Sequence, residues 1–470
     1  MFRPRLSRRS RRQSASGPCW RLSWIAAVWA TWKRRCKPRA INLCICSILA
    51  LFVLDSTMRR TRCVTARSAF SSKRLNGLGR ATIIWSKKLP APPPRARRTV
   101  GVPLSSLKWS HTMTDNPYKA LAERLDALPN GFPPTDDGVE LRLLAHIFTP
   151  EEAALAAQLR LTLETPAQIA ARLGRDVSAL RKQLKEMVRR GLITAGRTEE
   201  GLGYGLMPFA VGIYEMQVNT IDAEFARLFE DYYRQAFGKM VGITPQLHRV
   251  VPVEQSVRMD MEVRPFESAA DIVARAKAWG VMDCLCRKQQ ALIGHPCEHP
   301  LDVCMIFSDT PGAFDQSTTV RALTQEGAMA TLRRAAEAGL VHSVSNNQQG
   351  MSYICNCCTC ACGILRGMVD LGLANVIARS AFVNQVDEDA CIGCGACVEK
   401  CQFGALSVDG IAHVDGMRCV GCGVCTVACP VGALSMVRRP EEEVLPPPAT
   451  EREWQVERAA ARGLDLNAVL

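Results

Sequence analysis

Hydrophobic positions recur at three- and four-residue spacing through TPAQIAARLGRDVSALRKQLKEMVRRGLI, residues 165–193. Ile169, Ala170 and Leu173 share one face of a first helix, with Thr165 as its cap and Pro166 at its first position. Gly174 supplies a turn, and Val177, Leu180, Leu184, Met187 and Val188 carry the period into a second helix. This pattern predicts a helix-turn-helix. VELRLLAHIFTPEEAALAAQL supplies supporting helices before it, and GLITAG to GLGYGLM after it reads as the hairpin of a winged helix. GLGYG (Gly201–Gly205) reads as the turn of that wing, because no strand-to-helix junction surrounds it as a dinucleotide-binding loop requires.

Farther along, EFARLFEDYYRQAF predicts an amphipathic helix with Phe225, Leu228, Phe229, Tyr232 and Phe237 on or near its apolar side. MDMEVRPFESAADIVARAKAWGVMDCLCR reads as extended chain, then a helix capped by Ser268 and ending at Gly280. TTVRALTQEGAMATLRRAAEAGLVHS reads as a helical block with His342 at a helix end, the alternative for His342 being a ligand. FVNQV, ALSV, IAHV and ALSMV predict small strands. The final RRPEEEVLPPPATEREWQVERAAARGLDL predicts a Pro/Glu linker and a polar helix, a docking tail or surface element.

Charge divides the chain sharply. Residues 1–112 hold 25 Lys+Arg and one acid, Asp55, whereas residues 113–470 hold 34 Lys+Arg and 44 Asp+Glu. The first segment has Arg clusters and no sustained apolar period, and a capped amphipathic start appears at Met113. It reads as a disordered, non-native extension from an upstream start site. The rival reading is a basic targeting leader, since the 14-residue run Ile41–Leu54 follows a basic stretch. That run is short for a membrane span, and residues 113–470 contain none. Cys19, Cys36, Cys44, Cys46 and Cys63 have no ligand-like spacing.

The other 17 of the 22 cysteines are clustered, which in a reducing cytoplasm points to metal or redox chemistry. CIGCGACVEKC (391–401) and CVGCGVCTVACP (419–430) are each C-x2-C-x2-C-x3-C. Four thiolates at these offsets take the corners of cubane clusters, and the fourth Cys of each run ligates the other cluster. A first [4Fe–4S] cluster is expected on Cys391, Cys394, Cys397 and Cys429. A second is expected on Cys419, Cys422, Cys425 and Cys401. Gly393, Gly395, Gly421 and Gly423 let the backbone bend close to the inorganic sulfides. Residues 381–437 resemble the bacterial two-cluster ferredoxin domain, with Gln402 where that pattern usually has Pro.

Nine further thiols are Cys284, Cys286, Cys297, Cys304, Cys355, Cys357, Cys358, Cys360 and Cys362. If YICNCCTCACG is extended, period two places Cys358, Cys360 and Cys362 on one side and Cys355 and Cys357 on the other. The nine suffice for one or two more iron–sulfur clusters, which is the reading favoured here; zinc or a redox-active thiol set are the alternatives. Arg287, Lys288, His295 and His299 place positive charge and donors near Cys286 and Cys297, and a solvated surface role suits the two histidines equally.

From Met113 to Val437 the order of parts resembles a bacterial family of 4Fe-4S ferredoxin-type proteins with an N-terminal winged helix and an inner Cys-rich block. The residues that carry it are TPEEAALA (149–156), PFAVGIYE (208–215), CLCR (284–287), EAGLVHSVSN (337–346) and CNCC (355–358). The resemblance implies electron transfer and names no substrate. The expected fold is α+β and multidomain: a winged helix-turn-helix domain (113–218), a Cys-rich mixed α/β domain (219–380), a bacterial 2[4Fe–4S] ferredoxin-like domain (381–437), and a linker with a polar helix (438–470).

The expected function is one-electron transfer as a cytoplasmic component of a redox enzyme system, exchanging electrons with partner proteins. One alternative is a redox-sensing regulator that reads DNA through Arg181, Lys182, Lys185 and Arg189. Another is an oxidoreductase with its own substrate pocket at Cys284–Cys304 and Cys355–Cys362, which no nucleotide or flavin fingerprint supports.

Overall fold

The computed structural model describes residues 116–253, 256–257 and 261–470. The leader or extension expected over 1–112, with its run Ile41–Leu54 and five cysteines, lies outside the described residues. Among the described residues no helix is long and apolar enough to cross a membrane.

Five short helices open the described chain: Pro117–Asp126, Val139–Ile147, Pro150–Ala156, Pro166–Leu173 and Val177–Arg189. Local chemistry sets their starts. Thr149 with Glu152, and Thr165 with Gln168, form reciprocal capping boxes, and Asp176 accepts from the amide of Ala179. Gly174 sits in the left-handed region at φ 63° and turns the fourth helix into the fifth. Strands β1 (Thr194–Thr198) and β2 (Gly201–Gly205) pair as an antiparallel hairpin. GLGYG is thus the return strand of the hairpin, one step past the turn that the sequence suggested.

The middle of the chain folds onto a six-stranded antiparallel sheet. Its strands are β3 (His248–Val250), β4 (Ala278–Met282), β5 (Cys304–Ser308), β6 (Arg321–Leu323), β7 (Val341–Ser345) and β8 (Tyr353–Cys357), in spatial order β3-β7-β8-β5-β4-β6. Side chains alternate across it. Met305, Phe307, Val344 and Ile354 pack against Ile272, Val273, Ala328 and Leu332 from the helices Ala269–Arg275 and Gln325–Glu337. Cys304, Cys355 and Cys357 occupy the alternate positions and face the other way.

That other side is closed by the helix Ala223–Tyr232 and by rings of Phe132, Phe209, Tyr214 and Tyr232, where Phe132 lies 4.6 Å from Phe209 and 4.7 Å from Tyr232. Each such buried ring contributes roughly 2–3 kcal/mol.

Three expectations need correction. The helix capped by Ser268 ends at Arg275, and Ala278–Met282 is strand β4, because Trp279 and Val281 pair with β5 and β6. His342 lies inside β7, fully buried, with its Nδ1 against the Asn356 side chain, and it is not a helix-end residue. The polar C-terminal helix Glu451–Ala461 is not only a surface element, because it docks through a buried face. Trp454 donates to the Gln246 carbonyl at 2.9 Å, and the fully buried Arg458 donates to the carbonyls of Pro129, Met240, Ile243 and Pro245.

Strands β9 (Phe382–Val386), β10 (Leu406–Asp409), β11 (Ile411–Val414) and β12 (Leu434–Arg438) lie where the short alternating runs placed them. β9 pairs with β12 and β10 with β11, both antiparallel.

Candidate metal centres

The two C-x2-C-x2-C-x3-C runs adopt matching conformations. Each turns through two left-handed glycines into a short helix, Ala396–Lys400 or Val424–Val427, that carries the third Cys. Glycine is required at Gly393 and Gly421. Both have positive φ, and a Cβ would overlap the Gly410 carbonyl in one case and the Phe382 carbonyl and Ser380 hydroxyl in the other. These close approaches to Gly410, Phe382 and Ser380 fix the tight turns from which the sulfurs project.

Cys391, Cys394 and Cys397 line one cavity together with Cys429 from the other run. Four sulfurs accept N–H groups in matched pairs. Ala405 donates to Cys401 and Ala433 to Cys429, both at 3.3 Å and both four residues on. Ala412 donates to Cys391 at 3.4 Å, and the Asn384 amide to Cys425 at 3.0 Å. Burial pushes the Cys422 thiol up to about 12, with Cys419 and Cys401 adding to it. Burial likewise raises Cys425, with Cys422, Cys419 and Cys401 nearby, and raises Cys397, near Cys429 and Cys391. Buried sulfurs that accept N–H groups suit thiolates neutralised by a cationic core and suit free thiols poorly. The donor set therefore fits iron–sulfur clusters.

The model of the 4Fe-4S dicluster domain matches residues 390–433. The chain is an iron–sulfur protein. It carries at least one [4Fe–4S] cluster, and such a domain serves electron transfer with redox partners. No curated protein matches the chain.

The nine inner thiols of this iron–sulfur protein do not divide as simple alternation suggested. β8 ends at Cys357, and the chain then turns so tightly that the Cys362 amide donates to the Cys358 carbonyl at 3.0 Å. Cys355 and Cys357 keep their common face, as expected. Cys362 swings round to join them. Six thiols, Cys284, Cys286, Cys304, Cys355, Cys357 and Cys362, line one largely apolar chamber with Glu215 and His248, and Cys358 reaches its wall as well. Cys284 caps the helix Leu285–Leu292, which places Cys286 in its first turn.

Thiol–thiol contacts set the protonation order in the chamber. Cys284 is pushed down by the thiols of Cys286 and Cys304, whereas Cys286 and Cys304 are pushed up by their contacts with it. Burial raises Glu215 to about 7, against the amide of Gly212, and lowers His248 to about 4. His248 links Tyr353 Oη (3.0 Å) to Ser343 Oγ (3.2 Å), and Ser343 Oγ lies 3.5 Å from Cys357 Sγ. Sequence reasoning missed Glu215 and His248 as lining groups. The only signal was an acid amid apolar residues in PFAVGIYE.

On its other side Cys358 meets Cys297, Cys360 and His299. Burial lowers the His299 imidazole, and Arg287 and Lys400 add to this. His295 is exposed and takes no part, and Lys288 pairs with Asp283 at 2.8 Å. Gln402 bridges this loop to the dicluster section. Its Oε1 accepts from the Thr359 amide at 2.7 Å, and its Nε2 donates to the Gly339 carbonyl at 2.5 Å.

Of the basic stripe, Arg181, Lys182 and Lys185 are exposed. Arg189 is paired with Glu186 at 2.5 Å.

Proposed function

We propose that this protein passes single electrons through two [4Fe–4S] clusters as a component of a redox enzyme system, with a further iron–sulfur centre in the six-thiol chamber. The observation that carries the reading is the interleaving at one cavity of Cys391, Cys394 and Cys397 with Cys429 from the second run. By the same interleaving, Cys419, Cys422 and Cys425 would hold the second cluster with Cys401.

A bound cubane takes up and releases one electron with little rearrangement. The protein's own groups do the rest. The amides of Ala412 and Ala433 and the Asn384 carboxamide stabilise charge on the sulfurs they reach, which sets potential. Leu406, Ala412, Val424 and Leu434, all buried, exclude water. Cys394 is exposed and Ile392 is 64 % exposed beside it, so this edge offers a short path to a docked partner.

The segments 113–218, 219–380, 381–437 and 438–470 are proposed as its functional parts, the first a winged-helix docking module. The clustering of seventeen cysteines as metal ligands favours work in a reducing compartment such as the cytoplasm. The DNA-reading alternative draws on Arg181, Lys182, Lys185 and Arg189, the last in an exposed pair with Glu186.

Iron and acid-labile sulfide analysis of anaerobically purified protein tests the reading. About eight irons correspond to the dicluster section and about twelve to an added chamber cluster. Colourless protein without labile sulfide would refute it.

A further inference from the structure

We propose that Cys297, His299, Cys358 and Cys360 bind a single zinc ion, separate from the iron–sulfur centres. Among the described residues this is the one group of three or more ligand-type side chains whose donor atoms all lie within 4.8 Å of one another. Cys297 Sγ lies 3.2 Å from Cys360 Sγ, 3.7 Å from Cys358 Sγ and 3.1 Å from His299 Nδ1, and His299 Nδ1 lies 3.9 Å from Cys360 Sγ.

A tetrahedral zinc with bonds of about 2.3 Å to sulfur and 2.0 Å to nitrogen sets its donors about 3.5–3.8 Å apart. The separations of 3.1–3.9 Å lie around that spacing, and the imidazole among the sulfurs is a donor that zinc takes readily. Three sulfurs and one imidazole also make a closed structural zinc shell.

Charge supplies an independent argument. Three thiolates, a neutral imidazole and a divalent ion leave a net charge of −1. Arg287 is 1 % exposed, and no carboxylate among the described residues pairs with it. Its guanidinium donates to the carbonyls of Pro300 (3.0 Å) and Asn356 (2.7 Å), one beside each ligand-bearing segment. A buried guanidinium without a carboxylate requires another anion, and the sulfurs are the anions available. Arg287 thereby braces both segments and faces Cys358 of the shell together with Cys284, Cys304 and Cys357 of the chamber. Cys360 is exposed, which gives the ion a way in.

The site would act as a clip. Thr359 stands between two ligands and is held by Gln402, the neighbour of Cys401, while Cys357 and Cys362 of the chamber flank the same loop. Zinc would thus fix the chamber and the dicluster section at a set separation. This inference stands apart from the electron-transfer reading, because zinc and iron are counted separately.

The test is metal analysis and zinc-edge X-ray absorption on anaerobically purified full-length protein, with the variants Cys360→Ser and Cys394→Ser. The expected result is about one zinc per chain, in a shell of three sulfurs at about 2.3 Å and one nitrogen at about 2.0 Å. Cys360→Ser should lower zinc at least about fivefold and leave iron unchanged, whereas Cys394→Ser should lower iron and leave zinc. Four results would each overturn the proposal: wild-type zinc below about a tenth per chain, iron in this shell, a Cys297–Cys360 disulfide, or zinc falling with iron in Cys394→Ser.

Discussion

With the two proposed clusters bound, replacing Asn384 by Leu should make the one on Cys425 harder to reduce and leave the other unchanged. Asn384 is buried in β9, and its amide N–H reaches Cys425 Sγ at 3.0 Å, whereas its carbonyl oxygen has no partner. Leu has similar volume and removes both the donor and the unsatisfied acceptor, so the stability change should stay within about 1 kcal/mol. The electronic effect is separable. A hydrogen bond to a charged acceptor contributes about 1.5–3 kcal/mol. The added electron is shared among irons, sulfides and four thiolates, so about a fifth of that, roughly 0.4 kcal/mol, distinguishes the two oxidation states. At about 59 mV per tenfold change in the equilibrium constant, the cluster on Cys425 should move about 20 mV more negative. An EPR-monitored redox titration of wild type and Asn384→Leu reads both clusters in one sample. An unmoved or more positive potential, or an equal shift in both clusters, would refute the reasoning.

Gly393→Ala should cost at least about 2 kcal/mol, because φ is +64° and the new methyl overlaps the Gly410 carbonyl; a lower melting temperature with iron lost mainly from the first site is expected. Arg458→Leu would strip four buried carbonyls of their donor and should destabilise the protein by about 3 kcal/mol or more, read from denaturant midpoints. Burial opposes ionisation of Glu230, but the Arg366 guanidinium at 2.7 Å and Gln290 hold its carboxyl down to about 2. With the folded value depressed, its stabilisation is full above the unfolded value near 4.5 and fades as pH falls toward 2. Glu230→Gln should therefore be about 2 kcal/mol less stable than wild type at pH 7, and the gap in urea midpoints should close on acidification below pH 4. A gap that persists at low pH would point to lost packing instead of lost charge.

Local features were legible in the sequence, and long-range ones were not. The cap residues Thr165 and Ser268, the left-handed Gly174 and the four short strands around the paired sulfur runs depend on neighbours a few residues away, so spacing revealed them. The division of the nine inner thiols depends on where β8 ends and on Pro300 and Asn356 being drawn together by Arg287, which spacing does not encode. The tail helix misled for a related reason. Its polarity is genuine, but Arg458 spends every donor on carbonyls from distant segments, and no periodicity in the tail announces partners at Pro129 and Met240. Likewise, Trp279 reads equally well in a helix or a strand, and pairing with Phe307 and Leu323 decides it.

The anchoring of Arg458 constrains how current can leave the molecule. A carrier that delivers charge by swinging on a tether needs slack on at least one side. Here the dicluster section is pinned to the middle of the chain by the Val253 amide on the Cys422 carbonyl and by Arg438 on Glu267, and the chain leaving it is bolted through Trp454 and Arg458 to Gln246 and Pro129. A recipient must therefore come to a stationary terminal, and turnover should be governed by collision and residence at that face, with no stroke of the donor itself.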